Sequence, residues 1–189
     1  MPVVVEALAR IKHIEKTIND MLMFAHGGQF HMSDFMISEL IDELEDQLQP
    51  QLKLHQARLH TDINDHAISI NGNQDALLGA LINLCMNAMD AGQDGIDIRI
   101  NVELTDKGRV AIIIRDNACG MDAHTLKHLF DPFFTTKTDG TGLGLAVVKS
   151  VIESHQGDIR VESSAGQGSS FEIHLPSLQA NKTQLSKED

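Results

Sequence analysis

The stretch Phe130-Asp-Pro-Phe-Phe-Thr-Thr-Lys-Thr-Asp-Gly-Thr-Gly-Leu-Gly-Leu145 decides how this chain is read. Its glycines, Gly140, Gly142 and Gly144, recur at every second residue and follow a polar loop rather than a strand, so this is not the GxGxxG turn of a dinucleotide fold. No Gly-Lys-Ser/Thr follows, which removes a P-loop. The run does open a helix, from about Gly142 to Ser154, and the free N–H groups and dipole of a helix start favour phosphate. Upstream, Phe130, Phe133 and Phe134 around Pro132 read as hydrophobic pegs anchoring a mobile loop, with Lys137 behind them able to meet a phosphate.

Two further segments place polar residues where burial alone would not. Asn83-Leu-Cys-Met-Asn87-Ala88 sits in a helical pattern from about Asn73 to Ala91 that turns Leu77, Leu81, Leu84 and Ala88 inward. Asn83 and Asn87, four residues apart, stack on one face beside that stripe. The pair can offer amide oxygens to a hydrated cation, or simply be two asparagines at a core edge. Asp116-Asn-Ala-Cys-Gly-Met121 follows a strongly apolar strand. A carboxylate there can accept a hydrogen bond from an exocyclic amine, and Gly120 lets backbone approach a planar ring; a plain Asp-Asn turn is the other reading.

Around these segments the chain interleaves helices and hairpins. Ser33 can cap a helix carrying Ile37, Leu40, Ile41, Leu44 and Leu48, which Pro50 ends or kinks. Leu59 to Ile63 and Ala67 to Ile70 alternate like two short strands joined at Asn64-Asp65. Ile96 to Leu104 and Val110 to Arg115 read as a hairpin about Lys107-Gly108, a short helix covers about Ala123 to Leu129, and Gly157 to Glu162 and Ser169 to Leu175 close the domain as strands. This order predicts an α+β fold, a two-layer α/β sandwich with helices on one face of a largely antiparallel sheet. Residues 3–26 carry a heptad seam through Val4, Ala7, Ile11, Ile14, Ile18, Met21 and Ala25, which reads as one bundle helix able to dimerise, ended by Gly27-Gly28. The expected divisions are 1–28, 29–176 and a polar, disordered tail at 177–189.

Composition narrows the functions. The 189 residues carry 15 Lys+Arg against 27 Asp+Glu, a formal charge of −12, which argues against non-specific binding to nucleic acid or anionic membrane. The absence of Trp and Tyr, with seven Phe, argues against base stacking. Cys85 and Cys119 lack CxxC spacing, so neither a disulfide framework nor a zinc ribbon is expected, and a reducing, cytoplasmic compartment fits. No apolar run approaches the roughly 18 residues of a membrane span, and no signal-peptide pattern opens the chain.

In order and spacing, the segments at Asn83, Asp116, Phe130 and Gly140 resemble the N, G1, F and G2 boxes of histidine-kinase catalytic domains, in the superfamily that includes gyrase, a heat-shock chaperone and a mismatch-repair ATPase. The likeness covers about Ser33 to Pro176 and implies a Bergerat-type ATP site under a flexible lid at 122–141. By that likeness Asn87 binds Mg²⁺, while Asn83 supports the phosphate side and shares the catalytic role with Lys137. Asp116 receives the adenine amine, Gly120 lines the adenine pocket, and Ser169 makes a water-mediated adenine contact. Gly140, Thr141, Gly142, Leu143 and Gly144 shape the lid hinge and phosphate site. Where the G1 box usually begins Asp-x-Gly, this chain has Ala118, whose methyl is expected to narrow the pocket or restrict the backbone.

The segment from Ile11 to Ala25 is similar to the second helix of the dimerisation and phosphotransfer hairpin of such kinases. Phe-Phe-Thr-Thr-Lys137 and the Ala-Val-Val-Lys-Ser-Val-Ile helix look like the NtrB-type subgroup, its flagellar regulatory kinases in particular. None of the ten histidines lies in a phosphoacceptor segment: His13 is followed by Ile-Glu-Lys and reads as a surface residue, and His124 and His128 lack the glutamate of HExxH. The resemblance thus implies a fragment beginning inside the hairpin. The complete enzyme would be a homodimer moving the γ-phosphoryl of ATP to a histidine, for relay to an aspartate on a response regulator, by subgroup a sigma-54-dependent activator. The alternatives are an ATP-hydrolysing switch, which needs a glutamate where Asn83 stands, and a degenerate partner-binding module, which would bind no nucleotide.

Overall fold

Val110-Ala-Ile-Ile-Ile114 is apolar on both sides of a strand, and such a run belongs in the middle of a sheet. In the computed structural model, which describes residues 31–92, 95–137 and 140–179, it does. The elements are β1 (Ser33–Met36), α1 (Ile37–Leu54), β2 (Arg58–Ile63), β3 (Ser69–Gly72), α2 (Gln74–Ala91), β4 (Asp97–Leu104), β5 (Arg109–Asp116), α3 (Ala123–His128), α4 (Gly144–Ser154), β6 (Asp158–Ser163) and β7 (Ser169–Pro176). Five strands form one sheet in the order β2-β4-β5-β7-β6, antiparallel throughout except for the parallel pair β2 and β4.

Period-two alternation sends Ile98, Ile100 and Val102, then Val110, Ile112 and Ile114, then Phe171, Ile173 and Leu175 to one buried face. Helices cover that face, α1 with Leu40, Leu44 and Leu48, α2 with Leu77, Leu81 and Leu84, and α4 with Val148, Val151 and Ile152. Arg99, Glu103 and Arg115 point the other way, into solvent. The two-layer α+β sandwich read from the sequence is the observed architecture.

Local readings gave way where tertiary pairing was stronger. Ser33 caps no helix; it opens β1, which pairs antiparallel with β3, Phe35 opposite Ile70. Burying that pair outweighs a hydroxyl cap, and α1 begins at Ile37, with the Met36 N–H donating to Glu39 Oε2 at 3.4 Å. The strands either side of Asn64-Asp65 do not pair with each other, since one joins β4 and the other β1. Nor does Pro50 end α1, which runs on to Leu54. The ordered body extends past 176: Ser177 is buried and its hydroxyl donates to the Gly108 carbonyl at 2.8 Å. The expected bundle helix and the remainder of the tail lie outside the described residues.

One buried histidine joins α4 to α2. His155, just beyond α4, accepts the Asn73 N–H on Nε2 at 2.9 Å, so its proton sits on Nδ1 and is donated to the Val151 carbonyl at 2.6 Å. Asn73 in turn caps α2, its Oδ1 accepting the Ala76 N–H at 2.8 Å. Burial holds the His155 pKa below its ordinary value, with the two backbone bonds opposing the shift. The unfolded chain therefore binds a proton at about pH 6.5 that the folded one refuses. Domain stability is expected to fall as pH drops below that value, with a shallower fall in His155→Gln. Urea unfolding from pH 7 to 5 checks this, and equal slopes in the two proteins would contradict it.

Candidate functional site

The end of β5, the C-terminal half of α2 and described residues between Gly120 and Leu145 line an open cavity of about 720 Å³. Asn83, Asn87, Asp116, Gly120, Lys137, Gly140, Thr141, Gly142, Gly144 and Ser169 all line it. Leu143 does not: it is buried, and its N–H donates to Thr141 Oγ1 at 3.3 Å, so it shapes the hinge from behind.

Close packing sets the end of the cavity at the start of α4. Asn83 is only 8% exposed, and a Cβ on Gly144 would lie 2.7 Å from its Nδ2 and 2.8 Å from its Oδ1, so glycine lets the first turn of α4 close onto α2. Gly142 has φ +67°, and a Cβ there would stand 2.3 Å from the Phe133 carbonyl carbon. Its carbonyl accepts the Phe133 N–H at 2.9 Å, which ties the phenylalanine loop to the start of α4. Asn87 Nδ2 reaches Asn83 Oδ1 at 3.5 Å. Lys137 Nζ donates to Asn87 Oδ1 at 3.1 Å and to Asp90 Oδ2 at 2.8 Å.

At the other end, Asp116 Oδ1 accepts the Ala118 N–H at 2.9 Å and the Ser169 N–H at 3.2 Å. Among the described residues both of its bonds go to Oδ1, which leaves Oδ2 to a donor inside the cavity. Burial raises the Asp116 pKa, against the two N–H groups that lower it. The neighbouring Cys85 thiol is pushed up to about 12 by burial and then by the Asp116 charge, so it is inert packing. Ser169 Oγ lies 3.1 Å from Ser163 Oγ, which accepts the Met121 N–H at 2.9 Å and so fixes the loop beside Gly120.

Several readings change. Ala118 neither narrows the cavity nor lines it; its methyl is buried in the hydrophobic core. Of the three phenylalanine pegs, Phe130 packs on the core and Phe134 lines the cavity, but Phe133 is 69% exposed. Asp90 was missed, although its three-residue spacing from Asn87 puts it on the same helix face. The apolar wall from Leu129 and Phe171 was missed too, because those residues meet only in the fold.

An α+β sandwich whose helix layer and loop line a cavity with polar groups at both ends has the form of a ligand-binding domain. A family model described as histidine kinase-, DNA gyrase B-, and HSP90-like ATPase matches residues 72–179, more than half of the chain, and the chain belongs to that family. Its similarity to named kinases makes it an ATP-binding catalytic domain of the histidine-kinase type. It is 36% identical over 179 residues to the signal transduction histidine-protein kinase AtoS of Escherichia coli (strain K12), covering 93% of this chain and 29% of AtoS. It is 34% identical over 168 residues to sporulation kinase E of Bacillus subtilis (strain 168), covering 89% and 23%. The chain thus spans less than a third of the length of these curated relatives. The nucleotide-free catalytic domain of the histidine kinase ThkA matches with a TM-score of 0.70 at 26% identity, over 78% of this chain and 96% of that one. Full-length ShkA in complex with AMPPNP shares the fold, with a TM-score of 0.77 at 24% identity over 87% of this chain and 36% of that one.

The raised Asp116 pKa carries a sign. The folded domain holds this proton more tightly than the unfolded chain, so the group favours folding at low pH and that contribution is lost as pH rises through the carboxylate range. Asp116→Asn keeps an Oδ1 to accept both N–H groups and removes the desolvated charge. The ligand-free variant is expected to be at least as stable as wild type at pH 7, with an advantage that shrinks toward pH 3. Denaturant titration at both pH values measures it, and a loss of more than about 1 kcal/mol at pH 7 would show instead that the charge holds the fold.

Proposed function

We propose that this domain binds ATP with the adenine amine on Asp116 and the triphosphate at the start of α4, and that the complete protein transfers the γ-phosphoryl to a histidine for relay to an aspartate of a response regulator. The observation that carries the reading is one cavity with an acceptor oxygen, Asp116 Oδ2, at one end and helix-start amides with Lys137 at the other. Gly120 and Ser169 would flank the ring. Asn83, Thr141 and the backbone from Gly140 to Gly144, held by buried Leu143, would position the phosphates. Such catalysis is positioning and charge neutralisation rather than proton abstraction.

The oxygens present suit a magnesium ion brought in by the nucleotide. Asn87 Oδ1 already accepts one cation, the Lys137 ammonium, and Mg²⁺ is commonly held by one or two protein oxygens together with phosphates and water. Asn87 would hold it, and when bound it would neutralise charge on the phosphates. The hydrolase reading is weaker because Asn83, tightly packed by Gly144, is an amide and accepts no proton from water.

The finer placement belongs to the same proposal. Phe-Phe-Thr-Thr-Lys137 supports the NtrB-like subgroup, flagellar regulatory kinases included, and through it a sigma-54-dependent activator as the regulator. The heptad seam supports homodimerisation through a helix within 1–28. Charge and cysteine usage support a cytoplasmic setting without nucleic acid. Among the described residues no helix is long and apolar enough to cross a membrane.

Asp116→Ala strands the adenine amine and is expected to weaken a non-hydrolysable ATP analogue by about 1–3 kcal/mol, roughly 5- to 150-fold, in calorimetric titration. Unchanged affinity would contradict the adenine assignment. In assays with labelled γ-phosphate, the 189-residue polypeptide is expected to stay unlabelled and to label a separately supplied histidine-bearing hairpin. Acid-labile label on His13 alone would contradict this, and rapid release of phosphate would favour hydrolysis.

A further inference from the structure

Lys137 sits in the loop between α3 and α4, yet its ammonium rests on α2, 2.8 Å from Asp90 Oδ2 and 3.1 Å from Asn87 Oδ1. The pair therefore ties the loop across the cavity to the last turn of α2. The loop is braced at the same point, because the Lys137 N–H donates to Thr135 Oγ1 at 3.1 Å. The ammonium touches the oxygen that would meet the nucleotide's metal ion. Both side chains are about two-fifths exposed, 41% and 40%, so water screens the pair and it exchanges readily.

A triphosphate entering this end competes with Asp90 for the ammonium, and it carries several charges against one. Once Lys137 turns to the phosphates, Asp90 is left as a carboxylate facing a polyanion. Unless a divalent cation nearby, at Asn87, offsets its charge, that carboxylate repels the nucleotide. Asp90 thus penalises the metal-free nucleotide and tolerates the metal-bound one.

We propose that Asp90 and Asn87 hold Lys137 as an internal cation in the ligand-free domain, and that on binding this ammonium turns to the phosphates while a metal ion held at Asn87 offsets the Asp90 charge without being ligated by it, so that Asp90, a positioning residue, makes binding depend on the metal. The inference rests on the nucleotide reading of the cavity given above. It goes beyond that reading in giving a role to a residue that touches no substrate.

The test is calorimetry of a non-hydrolysable ATP analogue, with Mg²⁺ and with a chelator instead, on wild type, Asp90→Asn and Lys137→Gln, together with hydrogen exchange of the Phe134 to Lys137 amides without ligand. Asp90→Asn is expected to raise the metal-free affinity roughly two- to fivefold, the range a partly exposed ion pair can supply, while Mg²⁺-bound affinity stays within about a factor of two. Both variants should speed exchange in the loop, and Lys137→Gln should weaken binding in both conditions. Lower Mg²⁺-bound affinity in Asp90→Asn with unchanged metal-free affinity would make Asp90 a metal ligand and overturn the proposal. Wild-type affinities, or wild-type loop exchange, in Asp90→Asn would overturn it while the nucleotide site stands. A wild type that binds no analogue in either condition would defeat the nucleotide reading and this inference with it.

Discussion

Helix α4 grips α2 at two points, and the site depends on that grip. Its first residue, Gly144, lies against the Asn83 amide, and His155, just past its end, holds the Asn73 N–H that begins α2. Two contacts so far apart fix both the separation and the rotation of the helices, with Val148, Val151 and Ile152 filling the space beneath. The floor of the cavity is therefore rigid. The segment carrying Phe133 and Lys137 is tied to that floor by a backbone bond to Gly142 and a screened ion pair to Asp90.

The charge balance of the cavity explains how an acidic protein can receive a polyanion. Among the described residues, Asp90, Asp116, Asp122 and Lys137 are the charged ones lining it, three carboxylates against one ammonium. Side chains alone would repel a triphosphate. The favourable field comes from the N–H groups of the first turn of α4, which have no helix carbonyl to pair with, and from any cation the ligand brings. Asp116 works the other way: its raised pKa reflects a carboxylate short of solvent and ready for a donor. One end of the site thus offers a hydrogen-bond acceptor and the other N–H donors and an ammonium.

Much of this was legible in the residues because the signals were local or periodic. Asn83 and Asn87 at four-residue spacing, Asp116 after an apolar strand, and the alternate glycines before a helix each describe one element, and the fold brings them together. Readings that depended on partners distant in sequence went differently. Ser33 looked like a cap because hydroxyls cap helices, but its strand finds β3 some forty residues on. Phe133 looked like a peg because phenylalanine is apolar, yet its backbone, at φ +67°, turns it outward. Ala118 looked like an obstruction only while its side chain was assumed to face the ligand. Asp90 carried a readable helical spacing, but its role became visible only with Lys137 beside it.

The central claim is that the two ends of this cavity bind the two ends of ATP. It is tested most directly by assigning backbone amides in ¹H–¹⁵N spectra and adding adenosine, then an ATP analogue with Mg²⁺. The account predicts that adenosine shifts the Ala118 and Ser169 amides, whose N–H groups bond Asp116, and that the triphosphate additionally shifts Gly142 to Leu145. Shifts confined to the open face of the sheet, around Arg99 and Arg115, or none near Asp116 at saturating adenosine, would contradict it.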